Sequence, residues 1–155
     1  MTASAQIDAL TYELLSQYDT ITVVGASADP SKAANEVPAL MQRLGWRIIP
    51  VNPRSEEILG ERSYPTLHDV PGKLGLVDVF RPGPQTPAVA QAAADAGAAA
   101  LWLQLGIVSA ESRRIAEAAG MRYVEDRCLA IEIRRHHLTG PPREPQDEQH
   151  GTTAR

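Results

Sequence analysis

Ile21-Thr22-Val23-Val24-Gly25-Ala26-Ser27 decides the fold. A β-favouring run meets a glycine and two small residues, and an amphipathic segment follows as far as Leu44-Gly45. That order reads strand, tight turn, helix. Backbone N–H groups at such a turn, together with the positive end of the helix, suit a phosphate-bearing ligand. One unit later, the run Arg47-Ile48-Ile49-Pro50-Val51 ends in Asn52-Pro53. NAD-binding units place a carboxylate at that point, ~20 residues after the glycines, to hold the ribose hydroxyls. Here no acid follows until Glu56, and the second and third glycine positions hold Ser27 and Pro30. No Gly-Lys-Ser/Thr follows Gly25 either, which removes a P-loop. The pattern is a nucleotide-binding fold adapted to something other than plain NAD.

Outward from this unit the same alternation repeats. Strands are expected at Thr20–Val24, Trp46–Val51, Leu76–Phe80, Ala99–Leu103 and Met121–Val124. Helices are expected before the first strand (residues 7–18), up to Leu44, over Thr86–Ala96, from a Ser109 cap to Ala119, and up to about His137. Asn35 is read as the cap of the second helix, with Pro38 in its first turn. The stretch Ser55–Val70 reads as irregular with a short helical piece. Strands alternating with helices mean βαβ units and a parallel sheet covered on both faces. The chain is therefore read as one Rossmann-like, doubly wound α/β domain with a five-stranded, mainly parallel sheet over residues 1–138. After Gly140 apolar anchors disappear, and residues 139–155 are expected to be a disordered tail.

At 155 residues, with 43% hydrophobic and 22% charged residues, the chain can build a core without disulfides or metals. A net charge of −4 argues against broad capture of nucleic acid. The lone Cys128 excludes an internal disulfide and suits a reducing compartment. No signal core and no run of ~18 apolar residues is present, so a soluble cytoplasmic protein is expected, away from membranes.

Gly25-Ala26-Ser27, Ile49-Pro50-Val51-Asn52-Pro53, Ile58-Leu59-Gly60-Glu61, Tyr64-Pro65, Val77-Asp78-Val79-Phe80-Arg81, Trp102-Leu103-Gln104-Leu105-Gly106 and Asp126-Arg127-Cys128 occur together in this order. In this the chain resembles the stand-alone CoA-binding domain proteins. These are similar to the N-terminal CoA-binding domain of the succinyl-CoA ligase α subunit and of nucleoside-diphosphate-forming acyl-CoA synthetases. The resemblance covers about residues 7–138 and departs most over Ala28–Asn35.

The resemblance implies CoA, or an acyl-CoA, as ligand at the carboxyl ends of the strands. Its phosphates need N–H donors and cations, for which Gly25, Ala26, Ser27, Lys32 and Arg54 are candidates. Val51, Asn52 and Pro53 form the second strand end, where a neutral amide can donate to a phosphate that an acid would repel. Phe80 and Pro82, with Pro84, offer an apolar wall and Arg81 a cation beside it. Gln104 and the Gly106 backbone are assigned to the far end of the ligand.

Plainer readings stand beside these. Lys32 and Arg54 also read as solvated surface charges, and Asn52-Pro53 as a turn initiator. Trp102 reads as a core residue, Asp126-Arg127 as an ion pair fixing the last helix, and His136 and His137 as exposed. Cys128 reads as a small buried thiol, the sharper alternative being a mixed disulfide with CoA. No nucleophile–base pair, metal constellation or paired carboxylates stand out, and no second ligase domain with its phosphorylated histidine is expected. The resulting expectation is a non-enzymatic CoA-binding module. Its alternatives are an NADP-binding or other nucleotide domain of an oxidoreductase or acyl-CoA synthetase-type enzyme, and a structural partner with a vestigial crevice. The Ala-rich helices are equally suited to packing on a second copy and on the sheet.

Overall fold

The computed structural model describes residues 2–142. Helix α1 (Ala3–Gln17) leads into β1 (Thr20–Val24), α2 (Ala33–Leu44) and β2 (Arg47–Val51). Two short strands, β3 (Glu57–Ile58) and β4 (Glu61–Arg62), and a 3₁₀ turn at Leu67–Asp69 precede β5 (Leu76–Val79). The chain continues through a second 3₁₀ turn, Gly83–Gln85, into α3 (Thr86–Asp95), β6 (Ala100–Leu103), α4 (Ala110–Ala118), β7 (Arg122–Val124) and α5 (Leu129–Arg135). Five strands form one sheet in the order β2-β1-β5-β6-β7, and every pairing in it is parallel. No helix among the described residues is long and apolar enough to cross a membrane.

Both faces of the sheet are buried, which is why its strands read as continuous apolar runs rather than as alternations. One face carries Ile21, Val23, Ile48, Leu76 and Trp102, packed with Leu14 and Leu15 of α1, Met41 of α2, and Leu129 and Ile133 of α5. The other carries Val24, Val51, Val77, Val79, Leu101 and Leu103 against Ala90 and Ala93 of α3 and Ala116 of α4. The Ala-rich helix thus lies on the sheet, its small side chains allowing close approach. Both indoles are fully buried with satisfied N–H groups: Trp46 donates to the Tyr18 carbonyl at 2.9 Å and Trp102 to the Arg127 carbonyl at 2.8 Å.

Three local expectations are corrected. Helix α1 begins at Ala3, four residues before the apolar pattern, because Thr2 caps it through the Ala5 N–H at 3.1 Å. The stretch read as irregular contains the antiparallel pair β3–β4, turned by Leu59 and Gly60, both at positive φ. Asn35 is no cap. It sits in the third helical position of α2, which starts without a side-chain cap.

Helix α5 is tied to α1 by a polar cluster around Glu132, itself only 1% exposed. Thr11 donates to its carboxylate at 3.0 Å, Arg127 and Arg135 pair with it at 3.3 and 3.0 Å, and Asp8 meets Arg135 at 3.0 Å. Arg127 therefore fixes the last helix through Glu132 and Asp8, not through its neighbour Asp126. His136 is drawn into the same cluster, 2.8 Å from Thr11 and half-buried, whereas His137 is exposed as expected. Cys128 is half-buried at the N-cap of α5 rather than sealed in the core. The expected disordered tail lies outside the described residues from 143 onward. Just before it, Pro141 runs against Gly45 at the end of α2.

Candidate functional site

In the order β2-β1-β5-β6-β7, the connections leave β1 toward one edge of the sheet and β5 toward the other. The carboxyl ends of β1 and β5 therefore border the switch point, where an open parallel sheet presents a crevice. Three strand ends are locked together there. Gly25 donates to the Val51 carbonyl at 3.0 Å and Phe80 donates to the Val24 carbonyl at 2.8 Å. Gly25 has φ +83, and a Cβ on it would collide with the Phe80 carbonyl oxygen. Only glycine fits this junction.

A cavity of about 640 Å3 opens over the junction. Nine of the residues singled out from sequence line it: Gly25, Ala26, Ser27, Lys32, Asn52, Pro53, Arg54, Phe80 and Arg81. Ala28, Asp29, Ala34 and Ser55 complete the lining and were not singled out. A smaller apolar recess of about 240 Å3 opens beside it, lined by Val51, Pro65, Leu67 and Val89, and it shares Pro53 and Arg81 with the cavity. Val51 thus belongs to the recess. Pro82, Gln104 and Gly106 line neither.

The backbone of Ser27 is stapled to α2 through both of its polar groups. Its N–H donates to the Ala34 carbonyl at 3.1 Å, and its carbonyl accepts from the Asn35 side-chain amide at 2.8 Å. The first bond exists because of Pro38. In an uninterrupted helix Ala34 would accept from residue 38, but proline has no N–H, so that carbonyl is open to another donor. Sequence reading placed Pro38 and Asn35 at the helix start and missed this link. A proline inside a helical pattern was the available signal.

Asn52 plays a similar tying role. Its side-chain amide donates to the Ala26 carbonyl at 2.8 Å and accepts from the Arg54 N–H at 2.8 Å. It braces the two strand-end loops with one amide N–H, which leaves the second for the phosphate expected of it. Among the described residues, no acceptor meets the backbone N–H groups of Ala26, Ala28 and Ala34, three residues of the cavity lining. Ala26 is 1% exposed, and a backbone donor left open at such burial is rare in a native fold. The ionisable groups around the cavity are Asp29, Lys32, Arg54 and Arg81. With unpaired N–H groups beside three cations, the arrangement is suited to holding an anion.

Gln104 is turned inward, 3% exposed, and donates to Asp78 at 2.6 Å. Asp78 is fully buried in β5, where desolvation raises its carboxyl to about 8. Gly106 donates to Asp126 at 2.7 Å, pinning the loop after β6 to the loop after β7. The sequence placed both residues at the right end of the sheet. The parity of β6 sends the Gln104 side chain to the buried face shared with Trp102.

The model of the CoA-binding domain family matches residues 19–134, most of the chain. The chain belongs to that family. Among the relatives of this chain, an uncharacterized protein of Bacillus subtilis, YneT, is 34% identical over 119 residues, spanning 77% of this chain and 88% of its own. The acetate–CoA ligase [ADP-forming] II subunit alpha of Pyrococcus furiosus is 30% identical over 122 residues, 72% of this chain. Only 27% of that ligase subunit is covered, so the likeness is to one part of it. A solved structure of a hypothetical protein from Pyrococcus horikoshii superposes with a TM-score of 0.80 at 35% identity, covering 84% of this chain and 92% of its own. The family is thereby linked to acyl-CoA synthetase-type enzymes, and its fold is the Rossmann-like layer seen here.

Proposed function

We propose that this chain is a non-enzymatic binding protein for CoA or an acyl-CoA, held at the carboxyl rim of the sheet. The observation that supports this most directly is the open N–H of buried Ala26, with those of Ala28 and Ala34, beside Lys32, Arg54 and Arg81. Backbone donors near a helix start can hold a diphosphate, and the three cations answer the remaining charge. Phe80, Pro53 and the recess by Val51 supply apolar surface for the adenine ring or the pantetheine arm. Gln104 and Gly106 contribute by fixing the neighbouring strand ends, and Asn52 by bracing the loop.

Isothermal titration with CoA, dephospho-CoA, NADP and ATP tests the reading. Binding of CoA that weakens for dephospho-CoA is expected. Heat with NADP but none with CoA would overturn it in favour of an oxidoreductase-type nucleotide domain. Acetate, ATP and CoA supplied together are expected to give no ADP, and steady ADP release would overturn the non-enzymatic part.

A further inference from the structure

We propose that Asp29 sets the affinity of this crevice by holding a fixed carboxylate against the incoming phosphate; the inference rests on the CoA reading above. Asp29 is the one carboxylate among the residues lining the cavity. It stands three residues before Lys32, whose backbone N–H meets the Asp29 carbonyl at 3.1 Å. Its carboxylate is anchored twice by Ser31, through the backbone N–H at 2.9 Å and the hydroxyl at 2.7 Å. The loop closes around it from the other side as well, since the Asp29 N–H donates to the Ser27 hydroxyl at 3.1 Å.

Several consequences follow from this geometry. The Ser31 donors, which a free loop would offer to an external anion, are already spent on an internal one. The carboxylate cannot reorient without breaking two hydrogen bonds to Ser31. Those bonds also hold Asp29 below the usual carboxylate range, with the Lys32 charge adding to the effect, so it is ionised throughout the neutral range. A phosphate entering the cavity therefore meets a lining that carries Lys32, Arg54 and Arg81 and one negative charge, Asp29. The opposition grows with the number of phosphate charges on the ligand, so it weighs more on CoA than on dephospho-CoA.

Asp29→Asn separates charge from shape, because an amide oxygen still accepts from Ser31 while the charge is gone. Removing one repulsive charge at several ångströms in a solvated site is expected to tighten CoA binding about three- to tenfold at ~20 mM salt. The gain is expected to be smaller for dephospho-CoA and to shrink toward nothing at ~0.5 M salt. Ser31→Ala, which removes one of the two bonds but keeps the charge, is expected to bring a smaller gain than Asp29→Asn.

Titrating the wild type and both variants at the two salt levels decides the matter. Equal or weaker CoA binding by Asp29→Asn, a gain that salt leaves unchanged, or an equal gain from Ser31→Ala would each overturn the role of Asp29 while leaving CoA binding standing. Absence of CoA binding by the wild type and Asp29→Asn alike would overturn the CoA reading and this inference together.

Discussion

The side-chain amide of Gln104 donates to the carboxyl of Asp78 at 2.6 Å in the interior of the sheet, while the second carboxyl oxygen of Asp78 meets no partner. Burial without a cation favours the neutral acid, and the carboxyl is raised to about 8. The folded chain thus keeps a proton that the unfolded chain releases near pH ~4. Between those values the folded state binds more protons, so this group's contribution to stability is full below ~4 and falls as pH rises through about 8.

Asp78→Asn, neutral and of the same shape, is expected to remove that slope. In urea unfolding at about pH 5, 7 and 9, stability relative to wild type should rise with pH, by at most about 1.4 kcal/mol per unit. Parallel pH profiles for the two proteins would show that Asp78 is ionised in the fold.

Gly25→Ala places a methyl group against the Phe80 carbonyl and forces φ +83 on an L-residue. The expected loss is about 3 kcal/mol, or roughly 6–12 °C in melting midpoint for a chain of this size. CoA should no longer raise the midpoint. A variant that melts with the wild type would mean that the strand ends separate easily at the switch point.

Pro38→Ala restores an N–H that competes with Ser27 for the Ala34 carbonyl. The fold should keep its melting midpoint within a few degrees, because the helix gains an ordinary bond as the loop loses one. Exchange of the Ser27 amide hydrogen is expected to accelerate and CoA binding to weaken. Unchanged protection at Ser27 would show that its bond to the Ala34 carbonyl does not depend on the N–H that Pro38 lacks.

Lys32→Ala and Arg54→Ala each remove a cation from the cavity lining. Each is expected to weaken CoA binding by about tenfold at low salt, with little effect on the melting midpoint, since both side chains are exposed. Retained affinity in both would move the phosphates away from this cavity.

The sheet was legible because strands buried on both faces read as near-continuous apolar runs, the first two closed by Gly25 and Asn52 at the same end. The pair β3–β4 was not. Two-residue strands bearing Glu57, Glu61 and Arg62 carry no periodicity, and their turn relies on Leu59 at φ 56, which no propensity anticipates. The lining of the cavity was legible where residues follow a strand directly, as Gly25, Asn52 and Phe80 do. It was opaque where partners meet over long separations. Gln104 signalled a polar group at a strand end, and only the pairing of β5 with β6 reveals that Asp78 takes its amide. His136 likewise looked exposed until α1 was laid across α5.

Helix α1 precedes the segment that the family shares, residues 19–134, yet Leu14 and Leu15 are wholly enclosed and Glu132 finds Thr11 there. A fragment trimmed to the shared segment would bare an oily stripe above Ile21 and Trp102 and leave Glu132 without Thr11 and Arg135, paired with Arg127 alone of its ionic partners. Such a fragment should self-associate or precipitate where the longer chain stays dispersed, so the family's common boundary is not a safe place to cut this protein.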